Sequence, residues 1–201
     1  MAEDEKAINL ALQGGGSHGA FTWGVLDRLL EDEDIDITAV SGTSAGAMNA
    51  VVLAEGLVEG GREHARWQLD HFWRGMAAAA RFSPFQRSPW QRMTQSWSLQ
   101  HSPIYEMSLA FTRMVSPYQF NPTGINPLRD ALEKLIDFER VRRNRKVKLF
   151  INTTHVATGG LRCWREHELT VDMVLASACL PWLYQTPMIE GEGYWDGGYI
   201  A

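Results

Sequence analysis

The chain has 201 residues, 45% hydrophobic and 21% charged, with a net charge of -5. That length supports one substantial core, and the acidic balance excludes a general nucleic-acid binder. Two cysteines, Cys163 and Cys179, build neither a disulfide framework nor a zinc site. No apolar stretch reaches the ~20 residues needed to span a bilayer. The opening Met1-Ala2-Glu3-Asp4-Glu5-Lys6 is acidic and has no apolar signal core, so a reduced, cytoplasmic setting is expected.

Ala7 to Leu12 reads as a short buried strand, followed by the glycine-rich turn Gln13-Gly14-Gly15-Gly16-Ser17-His18-Gly19. A helix is predicted from His18 to Leu30, with Phe21, Val25, Leu26 and Leu29 along one side. The acidic loop Glu31 to Asp34 closes the unit. Ile35, Ile37 and Val40 form a second strand, which runs into Ser41-Gly42-Thr43-Ser44-Ala45-Gly46 and then a helix-forming run to Ala54. Two strand–turn–helix units in succession predict an α/β fold with a largely parallel sheet.

Residues 56–125 lose this rhythm. Trp67, Phe72, Trp73, Met76, Phe82, Phe85, Trp90, Met93 and Trp97 stand among polar residues and prolines, and Ala77 to Ala80 is a small helical piece. Two readings are open: an insertion whose aromatics pack onto the core, or a lid that presents apolar surface to lipid. Asn126-Pro127 marks a helix start, continued by Leu128, Leu132, Leu135 and Ile136. The basic run from Arg140 to Lys148 reads first as a solvated turn and second as a contact for anionic head groups. Val147 to Asn152 is a third strand, and Leu161 to Trp164 pairs with a neighbour. Thr170 caps a helix that ends by Leu180-Pro181. Met188-Ile189 and Tyr194-Trp195 form a hairpin that delivers Asp196-Gly197-Gly198. There is no internal repeat and no linker to a second domain.

Gly42-x-Ser44-x-Gly46 between a strand and a helix is the setting of a nucleophile elbow. A serine nucleophile needs a base and a site for the tetrahedral oxyanion. Gly14, Gly15 and Gly16 can point several backbone N–H groups at one oxygen. The same loop also reads Gly14-x-Gly16-x-x-Gly19, a dinucleotide fingerprint. The acid it requires at the end of the second strand is missing, because Asp34 and Asp36 precede that strand. For the base, His155 just past a strand end is the histidine candidate, while His167 lies in a charged stretch. Asp196, between aromatics and glycines, acts on Ser44 directly or is structural.

Gly14-Gly15-Gly16-Ser17-His18-Gly19, Gly42-Thr43-Ser44-Ala45-Gly46, Ala176-Ser177-Ala178-Cys179-Leu180-Pro181 and Asp196-Gly197-Gly198 resemble, in order and context, the patatin-like phospholipases. The resemblance implies a three-layer α/β/α sandwich with a mainly parallel central sheet. It implies a Ser–Asp dyad without histidine, with Ser44 as nucleophile, Asp196 as proton acceptor and Gly14, Gly15 and Gly16 lining the oxyanion hole. It implies no metal or organic cofactor, a lipid ester as substrate and transient contact with a lipid surface. Two features depart from the family. Many members carry Arg or Lys where His18 stands, and the family normally continues past the point where this chain stops, at Ala201. The chain is therefore expected to be one patatin-like domain lacking its C-terminal part, with Asp196 less rigidly held. A serine acyl hydrolase acting on lipid esters is the leading reading. Hydrolysis of another hydrophobic ester, such as a polyester, and an inactive lipid- or partner-binding remnant are the alternatives.

Overall fold

Ile8, Leu10 and Leu12 alternate along β1 (Lys6–Leu12) and pack against the core, as period-2 patterning requires. The structure is a computed structural model that describes residues 6–80 and 103–200. After β1 come α1 (Gly19–Leu30), β2 (Ile35–Gly42), α2 (Ala45–Glu59) and α3 (Gly61–Ala79). Then follow α4 (Pro103–Met114), α5 (Pro117–Phe120), α6 (Pro127–Leu135), α7 (Phe138–Arg143), β3 (Lys148–His155), β4 (Leu161–Arg165), α8 (Val171–Ala176), β5 (Met188–Ile189) and β6 (Glu192–Asp196).

The sheet is mixed, in the order β1-β2-β3-β6-β5, with β4 paired to β3 off that path. β1, β2 and β3 are parallel neighbours, and β4 and β6 run antiparallel to β3. Both parallel crossovers step the same way across the sheet, so right-handedness puts α1, α2 and α3 on one face. Leu10, Val40 and Leu149 share a register line on that face, and Ile151 and Trp164 share the next. The opposite face carries Ala11, Ser41, Phe150 and Arg165 in register, each exposed or half-buried. This is the α/β sheet flanked by helices that the sequence predicts.

The register on β3 positions the site. β4 pairs along Phe150 to Thr154 and so occupies one edge of β3. β2 and β6 share the other edge, with Gly42 opposite Ile151 and Asp196 opposite Thr153. The ends of β2 and β6 therefore face each other across two residues of β3, roughly 7 Å.

Every residue of α2 from Ala45 to Leu57 is buried, because α2 lies between the sheet and the layer formed by α1 and α3. The sequence pattern misplaces two things here. Phe21 and Val25, expected on the packed side of α1, are 78% and 45% exposed, while Leu26 and Leu30 are buried. Only Ala77 to Ala80 reads as helical in the sequence, yet α3 runs from Gly61 to Ala79 and buries Ala65, Gln68, Leu69 and Phe72. Phe82, Phe85, Trp90, Met93 and Trp97, the rest of the expected aromatic insertion, lie outside the described residues.

The basic run is a correction as well. Asp137 caps α7 through the Glu139 and Arg140 amides, so the run opens as a helix rather than a turn. Arg140 pairs with the buried carboxylate of Glu55 and with Glu59 at 2.8 Å, and Arg142 donates to the Leu169 carbonyl at 2.8 Å. The run precedes β3. It lies at the end of the parallel strands remote from the glycine loop and Ser44, so a head group held at that end would not face them.

Candidate active site

The chain turns from β2 into α2 at Ser44, whose backbone sits at φ 57° and ψ -124°. A positive φ is costly for a residue with a Cβ and marks a turn that its surroundings enforce. Both flanking glycines are required by space. A Cβ on Gly42 would lie 2.4 Å from the Gly46 carbonyl oxygen, and one on Gly46 would lie 2.1 Å from the Leu12 carbonyl oxygen. Gly46 and Ala47 amides donate to the Thr43 and Ser44 carbonyls at 2.9 Å, closing the first turn. The Ser44 hydroxyl makes no capping hydrogen bond to α2. The Ser44 amide donates to Ser177 Oγ at 3.0 Å, and Ser177 Oγ donates to the Asn152 carbonyl at 2.7 Å.

The glycine loop sits directly against this turn. A Cβ on Gly14 would meet Ser44 Cβ at 3.0 Å and Ser44 Oγ at 3.8 Å. Gly15 and Gly16 take φ values of 135° and 58°, open to glycine and strained for other residues. The Gly15 carbonyl accepts the His18 amide at 3.1 Å and His18 Nδ1–H at 3.0 Å, so His18 shapes the loop from its own turn. Behind the loop, buried Asn49 donates to the Gly19 carbonyl at 2.9 Å and accepts from Trp73 Nε1 at 2.8 Å. That clamp ties α2 to the start of α1 and to α3.

Asp196 ends β6 and is 6% exposed. Its amide donates to the Cys179 carbonyl at 3.0 Å, its carbonyl accepts from Thr154 Oγ1 at 2.9 Å, and its Oδ1 accepts from the Gly198 amide at 2.8 Å. A Cβ on Gly197 would lie 2.7 Å from the Asn152 carbonyl oxygen and 2.9 Å from Thr43 Cγ2, so the aspartate turn packs onto the serine turn.

Ser44, Asp196, Gly14, Gly15 and Gly16 all line one cavity of about 1190 Å³. Its walls are mainly apolar, with Trp23, Met48, Phe72, Trp73, Leu180 and Leu183 contributing. Burial, with the charge of Asp196 adding to it, pushes the Cys179 thiol up to about 12, and burial followed by Cys179 raises the Tyr184 phenol. Both groups stay neutral at ordinary pH. An apolar chamber with a few convergent polar groups at one end suits a substrate with a long hydrocarbon part.

The other candidates from the sequence fall elsewhere. His155 Nε2 pairs with Glu192 at 3.1 Å and its Nδ1 with Thr158 Oγ1 at 2.8 Å. His167 stands beside Glu168 on the surface. Neither histidine lines the cavity. Asp36 lies inside β2 rather than before it, but it pairs with Ala7 at the start of the strands, at the end of the sheet away from the glycine loop, so it does not supply the acid of a dinucleotide site. Among the described residues, no group of three His, Cys, Asp or Glu side chains is placed to hold a metal ion. The sequence reading missed Ser177 as a partner of Ser44, and it missed the Asn49 clamp. For Asn49 a signal existed: it is a single polar side chain in the otherwise apolar run Ala45 to Ala54.

A family profile described as patatin-like phospholipase matches residues 10–201. Among solved structures, the chain is similar to VipD from Legionella pneumophila, at 20% identity and a TM-score of 0.53 over 100% of this chain. It thus spans 47% of the VipD chain, about half its length. It is also similar to the heterodimeric ExoU–SpcU complex of the Pseudomonas aeruginosa type III secretion system, at 18% identity and a TM-score of 0.45, covering 89% of this chain and 37% of that one. The VipD likeness concerns the fold. Comparison with curated proteins gives no match.

Proposed function

The chain belongs to the patatin-like phospholipase family, and from that premise we propose that it is a serine acyl hydrolase of lipid carboxylic esters. Ser44 Oγ attacks the ester carbonyl while the Asp196 carboxylate takes its proton. The tetrahedral oxyanion is held by the Gly14–Gly16 amides, and the proton passes to the leaving alcohol. Water, activated by Asp196, then hydrolyses the acyl-enzyme. Each oxyanion donor of this kind contributes about 3 kcal/mol of barrier lowering. The observation that carries the reading is that Ser44, Asp196 and the glycine loop line a single apolar cavity.

Membrane contact is proposed as transient and peripheral, with the protein cytoplasmic. Among the described residues no helix is long and apolar enough to cross a membrane. Phe21, in the first turns of α1 beside the glycine loop, is 78% exposed and can enter a lipid surface. A fluorophosphonate probe tests the proposal: it should label the wild-type chain on the Ser44 peptide and leave Ser44→Ala unmodified. Absence of wild-type labelling, with lipid binding retained, would favour an inactive binding protein. A panel of phospholipid, lysophospholipid and polyester substrates then identifies the ester.

A further inference from the structure

A serine directly before a helix ordinarily caps it, turning its side-chain oxygen onto the amides of the first turn. Ser44 does not, because its positive φ carries the side chain away from that position and leaves Oγ uncommitted. Such a backbone persists only where its neighbours over-determine it. The Ser44 amide has its partner in Ser177 Oγ, supplied from a segment 133 residues away. Ser177 is fully buried at the C-terminus of α8. Its hydroxyl is used twice, accepting from Ser44 and donating to the Asn152 carbonyl on β3. Two residues later, the Cys179 carbonyl accepts the Asp196 amide at 3.0 Å. One short stretch therefore grips the main chain of both proposed catalytic residues, and Asn152, which anchors it, also lies against Gly197.

We propose that Ser177 is a positioning residue: its hydroxyl holds Ser44 in the left-handed conformation that keeps Oγ free, and residues 177–179 set the spacing between Ser44 and Asp196. The catalytic part of this inference rests on the hydrolase reading above. Removing the hydroxyl unpairs a half-buried amide and a half-buried carbonyl together. Ser44 then relaxes to an ordinary capping conformation, and Oγ turns to the helix amides instead of the substrate.

The test compares the wild-type chain, Ser177→Ala and Ser177→Thr by thermal melting, by hydrogen exchange at the Ser44 amide, and by kcat and KM on a soluble p-nitrophenyl ester. In Ser177→Ala the Ser44 amide should lose its protection, kcat should fall about 10²-fold, and KM should stay within about twofold. Ser177→Thr keeps the hydroxyl and should recover most of kcat. A folded Ser177→Ala with wild-type kcat and an unchanged Ser44 amide overturns the proposal. If Ser177→Ala does not fold, Ser177→Cys, of nearly the same shape but a poor hydrogen-bonding partner, is judged by the same criteria. If the wild type shows neither turnover nor probe labelling, the hydrolase reading fails by itself. The exchange of the Ser44 amide then still decides whether Ser177 holds it: lost protection in the variant supports the proposal, and retained protection refutes it.

Discussion

Gly46→Ala adds one methyl group where the start of α2 meets the end of β1. Its 2.1 Å approach to the Leu12 carbonyl oxygen falls about 1.3 Å short of the 3.4 Å at which ordinary contact begins. The opposing atoms are backbone, with Leu12 C at 2.7 Å and Gln13 O at 3.0 Å, so no side chain can swing aside. Overpacking of this kind costs about 3 kcal/mol, at the upper end of the usual range. For a chain of this size that is a loss of roughly 6–12 °C in Tm. The same displacement separates Ser44 from the glycine loop, and a misplacement near 1 Å costs about 10²-fold in turnover. Gly24→Ala is the internal control: it lies inside α1 with nothing within 4 Å of the added Cβ and an ordinary backbone. It should stabilise by up to about 1 kcal/mol. Melts followed by tryptophan fluorescence, with ester turnover on the same samples, decide the matter. A Gly46→Ala chain that melts within about 2 °C of wild type at full turnover would refute the close approach of α2 to the glycine loop.

Three further outcomes are expected. Arg140→Met should destabilise by about 3 kcal/mol in denaturant titrations, because Glu55, 1% exposed, loses its cationic partner and is left with the hydrogen bond from Gln68 Nε2; adding Glu55→Gln should recover part of the loss. The Cys179 thiol, raised from 9.0 to about 12, binds its proton more tightly in the folded state than in the unfolded. Its contribution is therefore complete below pH 9 and falls by about 1.4 kcal/mol per pH unit from there towards pH 12. Melts between pH 8 and 10.5 should show that alkaline slope in the wild type and a shallower one in Cys179→Ala. Phe21→Asp should reduce sedimentation with phospholipid vesicles and turnover on them, while leaving turnover of a soluble ester unchanged.

What the sequence revealed was local. The strand–turn–helix units around Gly14–Gly16 and Ser44, the Thr170 cap and the hairpin through Glu190 and Gly191 each depend on neighbours a few residues away. Their periodicity and turn residues are therefore sufficient signals. The helix α3 was hidden because its buried side is Ala65, Gln68, Leu69 and Phe72, too weakly apolar to stand out from the charged residues around it. On α1 the apolar residues exceed what the packed side needs, and nothing in the pattern says which pair, Leu26 and Leu30 or Phe21 and Val25, faces inward. The run from Arg140 looked solvated because its acidic partner Glu55 sits 85 residues away in an apolar helix. The Ser44–Ser177 bond spans 133 residues and joins a backbone amide to the hydroxyl of a residue type common at turns and helix ends, so no pattern announces it.

The proposed catalysis requires Asp196 to take the proton from Ser44, and the most direct measurement is single-turnover hydrolysis of a soluble ester by wild type and Asp196→Asn. Loss of a general base should lower the acylation rate by about 10²–10⁴-fold with the fold intact by melting. Acylation by Asp196→Asn within threefold of wild type would contradict it and return the search for a base to the rest of the chain.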